Sequence, residues 1–270
     1  WIAFDQRGCG RSTPRGTLQD NDLATLIDDA ERLRAQLGID RWAVAGGSWG
    51  GLLGVAYARC CPQAVAGLFL RSVFSGSAAS RRRYIAPWRA WLGPAGCDRL
   101  GAQTGALEQW LCHGATGLCE SGSAAFATMA QDAVLAHAWA GFDAAQSAPG
   151  GVPASGARWQ PPIGETTPLD DWHIFLHHAG LGFGVGPAGV VAPAAMPGPT
   201  WLVHGDADAV CDPADSAALA QAWPAARHVS VPGGAHAMSH PPMAAALRAA
   251  AIGWIAALQV QAGTFQRSLR

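Results

Sequence analysis

Gly46-Gly47-Ser48-Trp49-Gly50 is the segment whose residue types and spacing most directly imply chemistry. It fits Gly-x-Ser-x-Gly and lies between a short apolar run, Trp42–Ala45, and a helix-like stretch, Leu52–Arg59. In that context the pattern predicts a strained strand-to-helix turn that presents the serine hydroxyl above a sheet. The Trp49 N–H then faces a developing oxyanion. The plainer alternative is a Gly-rich turn around a buried serine. A serine nucleophile needs a base, and the base needs a carboxylate to orient it. Val231-Pro232-Gly233-Gly234-Ala235-His236 reads as a strand followed by a Gly-rich loop that ends in histidine, so His236 is the candidate base. Leu202-Val203-His204-Gly205-Asp206-Ala207-Asp208 reads as a strand followed by a loop with two carboxylates. Either could orient the base, and Asp206 could instead be a turn residue bonding its own backbone.

These loops need strands beneath them. Trp1–Phe4, Trp42–Ala45, Ala64–Leu70, Thr200–His204 and Arg227–Val231 read as strands. Leu23, Leu26, Ile27, Ala30, Leu33 and Leu37 recur at helical spacing, with Gly38 just past the end. Further helices are expected over Leu52–Arg59, Asp215–Trp223 and Pro241–Leu258, followed by a polar, frayed tail beyond Gln259. Strands alternating with helices imply a mostly parallel sheet, whose sites lie at the carboxyl ends of its strands. From Ser75 to Pro199 the alternation stops and Trp, Ala, Gly and Pro become frequent. That stretch reads as a largely helical insertion with a flexible part at Ala148–Pro162. The domains expected are therefore a first core part over 1–74, a helical cap over 75–199 and a second core part over 200–270.

Composition narrows the function. Half of the 270 residues are apolar and 14% charged, so the chain is no disordered segment. The 18 basic residues are all Arg, and the net charge of −1 makes no case for nucleic acid. No uninterrupted apolar run reaches the roughly 18 residues of a membrane span. The seven cysteines are odd in number and contain no Cys-x-x-Cys pair, which argues against a disulfide scaffold and leans toward a reducing compartment. A cytoplasmic protein is expected. His204 ends a buried strand and reads as structural, and His240 as a helix-entry residue. His173 and His177 share a helical face, but Ile174 stands where a zinc-protease helix has Glu, so no metal is expected. Cys60-Cys61 reads as packing, and Arg81-Arg82-Arg83 as a solvated patch.

Several segments in order resemble the proline iminopeptidase (prolyl aminopeptidase) family of α/β-hydrolases. Asp5-Gln6-Arg7-Gly8-Cys9-Gly10-Arg11-Ser12 is similar to its DQRG-x-GRS turn, and Gly46–Gly50 to its GGSWG elbow. Leu33–Ile39, Leu70–Phe74, Ala222-Trp223-Pro224 and Gly234-Ala235-His236 match further segments. His204–Cys211 resembles its HGRYD-x-VC stretch, which puts Asp208 rather than Asp206 in the catalytic aspartate's place. The match is strong over Trp1–Phe74 and Thr200–His240. It implies an α/β-hydrolase fold with a helical cap, a Ser48–Asp208–His236 triad and no cofactor.

The departures bear on the substrate. The family binds the substrate's amino terminus with two cap carboxylates. Asp143, after Trp139, stands where the first is a Glu. Phe175 stands where the second should be. Losing one anchor forfeits ~1.5–3 kcal/mol, the scale of a charged hydrogen bond. The family also carries an HGGPG-type oxyanion loop upstream of the first matching motif. These 270 residues contain no such loop and start at Trp1, so the resemblance implies a segment in front. Three functions follow: a serine aminopeptidase acting on small peptides with N-terminal proline or another small residue, a carboxylester or amide hydrolase with the same triad, or a non-catalytic binding protein or incomplete fragment. No nucleic-acid or membrane partner is expected, and the oligomeric state is open.

Overall fold

The computed structural model describes residues 1–113, 124–152, 169–185, 188–193 and 198–268. They form two compact units. One comprises Asp29–Ser75, Ser147–Gly151 and Val190–Arg270 and carries the sheet. The other comprises Trp1–Asp28, Gly76–Gln146 and Val152–Gly189 and is helical.

Four strands lie in the order of the chain: β1 (Trp42–Gly47), β2 (Val65–Arg71), β3 (Thr200–Gly205) and β4 (Ala226–Val231). Every neighbouring pair is parallel. β3 is buried along its whole length, as a central strand covered on both faces must be. Successive side chains of β2 show how that cover is supplied. Phe69 meets Trp254 of α10 (Pro241–Ser268) with ring centroids 5.4 Å apart. Leu70, one residue on, lies against Gly54 of α2 (Trp49–Cys60), so α10 and α2 take opposite faces. Trp201, Val203, Val231, Met243, Ala250 and Trp254 form the core on the α10 side. α9 (Pro213–Ala222) packs on β3 and β4 and is capped by Asp212, whose side chain accepts from the Ala214 N–H. α1 (Leu23–Gln36) ends with Arg34 donating to the Ile39 and Asp40 carbonyls.

The helical unit holds α3 (Ala78–Ile85), α4 (Trp88–Leu100), α5 (Ala102–His113), α6 (Ala124–Ala130), α7 (Ala133–Ser147) and α8 (Leu169–Gly180). α5 packs against α3, α4, α6 and α8. Large rings fill this unit. Phe142 is fully buried and meets Trp88, Trp91 and Tyr84 at 5.2, 5.9 and 5.5 Å, each edge to face. The indoles of Trp110 and Trp172 donate to the Leu176 and Met129 carbonyls.

Several expectations change. Trp1–Phe4 is not a strand: it joins no ladder, and Trp1, Ile2 and Phe4 are exposed. Trp1–Asp28 groups with the helices, whereas the sequence pattern assigns it to the first core part. Asn21 ties this segment together by donating to the Arg7 and Thr17 carbonyls. The final helix runs on to Ser268 instead of fraying after Gln259, since Val260, Gln261 and Ala262 contain no breaker. Over Pro241–Gln261 it is, among the described residues, the one helix apolar and long enough to cross a membrane, despite Arg248. Met243, Ala250 and Trp254 are buried on its sheet side, while 17% of the stretch as a whole is buried. Arg81 is buried, so the arginine run is not a uniformly solvated patch. The stretch expected to be flexible lies beyond Val152 outside the described residues.

Candidate active site

All three groups of the expected triad stand on loops that leave the carboxyl ends of sheet strands. Ser48 follows β1 directly, with φ 56° and ψ −122°, a region that L-residues rarely occupy. Its surroundings hold it there from both ends. Its N–H donates to the Arg71 carbonyl at 3.0 Å, and its own carbonyl accepts from Gly51 and Phe74. Such strain persists only where neighbouring structure over-determines it. The turn is also too tight for a side chain at Gly46, where a Cβ would stand 2.2 Å from the Gly50 carbonyl oxygen. Trp49 is the first residue of α2, so its N–H sits at a helix N-terminus, where negative charge is favoured.

Asp208 is buried in the loop after β3. Its Oδ1 accepts from the Val210 and Cys211 N–H groups, both at 2.9 Å. His236 Nδ1 lies 2.9 Å from Oδ2 and 3.1 Å from Oδ1. A carboxylate only accepts, so Nδ1 carries the proton and Nε2 is left with the lone pair a base requires. Burial raises the Asp208 pKa. Hydrogen bonds from His204 and His236, the His236 charge and the Cys211 N–H outweigh it and hold the carboxyl well below its ordinary range.

The loop bearing His236 is braced by groups that motif spacing does not reveal. Arg71, at the end of β2, donates through Nη1 to the His236 carbonyl at 2.5 Å. Burial lowers the pKa of that guanidinium, while Cys211 and Asp208 act in the opposite sense. The Gly233 N–H donates to Asp206 Oδ1 at 2.6 Å, so Asp206 ties the β3 and β4 loops together rather than bonding its own backbone. A Cβ on Gly205 would stand 2.1 Å from the Gly234 carbonyl oxygen, which shows how closely those two loops approach. His240 accepts from the Ala235 N–H and precedes α10, as a helix-entry residue should.

Asp208 and His236 are thus brought into contact. The Ser48 hydroxyl is placed differently: its hydrogen-bond partner among the described residues is the Cys211 thiol, at 3.8 Å. Burial and the Asp208 charge raise the pKa of that thiol, which keeps it protonated. His204, read from the sequence as structural, lies with its Nε2 3.4 Å from Asp208 Oδ2.

The other candidates lie in the helical unit. Asp143 Oδ1 accepts from the Tyr84 hydroxyl at 2.8 Å, and Trp139 Nε1 donates to the same hydroxyl at 3.1 Å. Phe175 stacks on Trp139 with centroids 4.3 Å apart. Trp172 and Phe183 flank it at 5.9 and 6.5 Å. His173 and His177 each engage a backbone carbonyl, of Ala130 and Asn21. The described residues contain no cluster of three or more metal-ligating side chains.

Comparison with known proteins agrees with this architecture. Residues 1–95 match the family model described as alpha/beta hydrolase fold. The chain is 35% identical over 136 residues to a proline iminopeptidase of Neisseria meningitidis serogroup A, covering 47% of this chain and 44% of that protein. It is 53% identical over 73 residues to a proline iminopeptidase of Xanthomonas citri, covering 27% of this chain and 23% of that one. The chain therefore spans less than half the length of these curated relatives. Among solved structures, the proline iminopeptidase of Mycobacterium smegmatis superposes with a TM-score of 0.52 at 19% identity, over 94% of this chain and 80% of that one. VinJ gives 0.54 at 18% identity, over 93% and 79%. The fold is that of the α/β-hydrolases, and the sequence is similar to proline iminopeptidases over the segments matched.

Proposed function

We propose that this protein is a serine aminopeptidase of the α/β-hydrolase class that releases N-terminal proline or another small residue from peptides. The observation that carries the reading is the 2.9 Å contact between His236 Nδ1 and buried Asp208, on loops of the same sheet whose β1–α2 turn strains Ser48. Ser48 Oγ turns from Cys211 to His236 Nε2, gives up its proton and attacks the carbonyl carbon of the first residue. The Trp49 N–H donates to the oxyanion. Asp208 holds the imidazole in its Nδ1–H tautomer and stabilises the imidazolium that forms. His236 then protonates the departing amine. Water, deprotonated by the same imidazole, releases the acyl group and returns the proton to Ser48. No step calls for a metal or an organic cofactor. We assign Asp143, Trp139 and Phe175 to the substrate's amino end, with Asp143 opposing the ammonium charge. Seven cysteines, odd in number and without a Cys-x-x-Cys pair, support a cytoplasmic setting.

A second reading rests on one observation. Phe175, stacked on Trp139, puts an apolar ring where the resemblance calls for a carboxylate, which suits an ester or uncharged amide. Prolyl and alanyl arylamides assayed beside simple nitrophenyl esters separate the two. Arylamide cleavage lost in Ser48→Ala supports the peptidase. Ester cleavage without arylamide cleavage overturns it in favour of an esterase.

A further inference from the structure

Asp208 meets two imidazoles, and the triad uses only one. His204, near the end of β3, is 1% exposed. Its Nε2 lies 3.2 Å from the Cys211 carbonyl oxygen and 3.4 Å from Asp208 Oδ2. Both neighbours are pure acceptors, so Nε2 must carry a proton. Nδ1 lies 2.6 Å from Oγ of Ser216, a fully buried residue of α9. The neutral ring satisfies both nitrogens in one way: Ser216 O–H donates to Nδ1, and Nε2–H donates to the Cys211 carbonyl beside Asp208 Oδ2. Oδ1 then takes two backbone N–H groups, the His236 N–H bridges both oxygens, and the His204 Nε2–H stands 3.4 Å from Oδ2.

We propose that His204 is a positioning residue for the Asp208–His236 pair, locked in its Nε2–H tautomer by the Ser216 hydroxyl. This deepens the proposed function and rests on it. A carboxylate held by His236 and two N–H groups alone could still pivot about its Cβ–Cγ bond. The second imidazole meets the same oxygen as His236 and removes that freedom. It also draws off part of the carboxylate's charge, which tempers how strongly Asp208 stabilises the His236 imidazolium. Other titratable groups acting here are the buried Cys211 thiol and Arg71, each interacting with Asp208, Asp215 on α9, which acts on Cys211, and His228 on β4, which interacts electrostatically with His204.

The test compares wild type with His204→Phe, His204→Gln and Ser216→Ala. Three readouts are taken: steady-state kinetics across pH, thermal melting, and nitrogen-15 NMR titration of the histidine rings. Removing the donor should lower kcat in His204→Phe by roughly ten- to hundredfold with KM within about twofold, the range of one hydrogen bond to a charged group. The acid limb of kcat/KM, and the His236 titration seen by NMR, should move to higher pH, because Asp208 then gives its full charge to His236. His204→Gln, which can place an amide N–H near the lost Nε2–H, should recover most of both effects. Ser216→Ala keeps the ring in place, so it serves if His204→Phe fails to fold. It should lose a smaller factor, roughly two- to tenfold, and its NMR should show the tautomer no longer fixed. A His236 titration that stays put in the folded variants overturns the proposal, even where melting temperatures fall. If wild type shows no Ser48-dependent turnover, the proposed function fails separately, and the NMR titration still decides the role of His204.

Discussion

The sheet unit and the helical unit hold their polar groups by different means. In the sheet unit, strand ends aim the loops, and backbone hydrogen bonds set the side chains. Ser48 is bonded at its N–H and its carbonyl, Asp208 Oδ1 takes two backbone N–H groups, and His236 is tied through its own carbonyl to Arg71. In the helical unit, Asp143 accepts from the Tyr84 hydroxyl, and the cluster around it is built from rings. Ladder ends fix a position through many directional bonds. Ring packing fixes it through area and shape, and tolerates more change in the residues it surrounds.

The largest effect that could break this comparison is chemical. Ser48→Ala should lower hydrolysis by about 10⁴-fold or more while melting stays close to wild type, measured by arylamide and ester turnover. A variant that loses both activity and fold would mean the strained serine is structural. Next is Phe142→Ala, which empties the centre of the ring cluster. It should cost about 3–5 kcal/mol in urea unfolding, with the loss seen by hydrogen exchange in the helical unit.

Acid should separate the units as well. Burial lowers the His178 pKa to about 4, with the His177 charge adding to it. An unfolded histidine binds its proton near pH 6.5, so the unfolded state holds more protons between those values, and stability falls as pH drops from about 6.5 toward 4. His177 shifts in the same direction, again chiefly through burial. Asp208 acts in the same sense but in a lower window: its depressed pKa contributes stability that is complete above about pH 3.9 and is lost only below it. Hydrogen exchange at pH 5 should therefore rise first in α8, and His178→Phe should flatten that response. Smaller still is Gly46→Ala, about 1–3 kcal/mol from crowding the Gly50 carbonyl. Smallest is Asp206→Ala, about 1 kcal/mol for the bond to Gly233, read by chemical denaturation.

What could be read from the sequence follows the same division. β1, β2 and β3 announce themselves as short apolar runs and β4 as Val229 and Val231 alternating with polar residues, and Ser48 and His236 stand at fixed offsets from strand ends. Those signals are local, so spacing suffices. The contacts that complete the site join residues far apart in the chain. Arg71 reaches the His236 loop, Cys211 reaches Ser48, and Ser216 reaches His204, and nothing in the local pattern announces any of these pairs. Trp1–Phe4 shows the converse error: an apolar run predicts a strand, but a strand exists only where a neighbour supplies a ladder. In the helical unit the 3.6-residue period identifies helices without saying which ring meets which. Arg81 was legible as a charge and illegible as a buried one.

In the proposed mechanism Ser48 is a nucleophile activated by His236 and Asp208. Labelling the folded protein with a fluorophosphonate and mapping the adduct by peptide mass spectrometry tests it most directly. A single adduct on Ser48 is expected, absent in Ser48→Ala and formed far more slowly in Asp208→Asn. A folded protein that takes up no label, or takes it up on another residue, would contradict it.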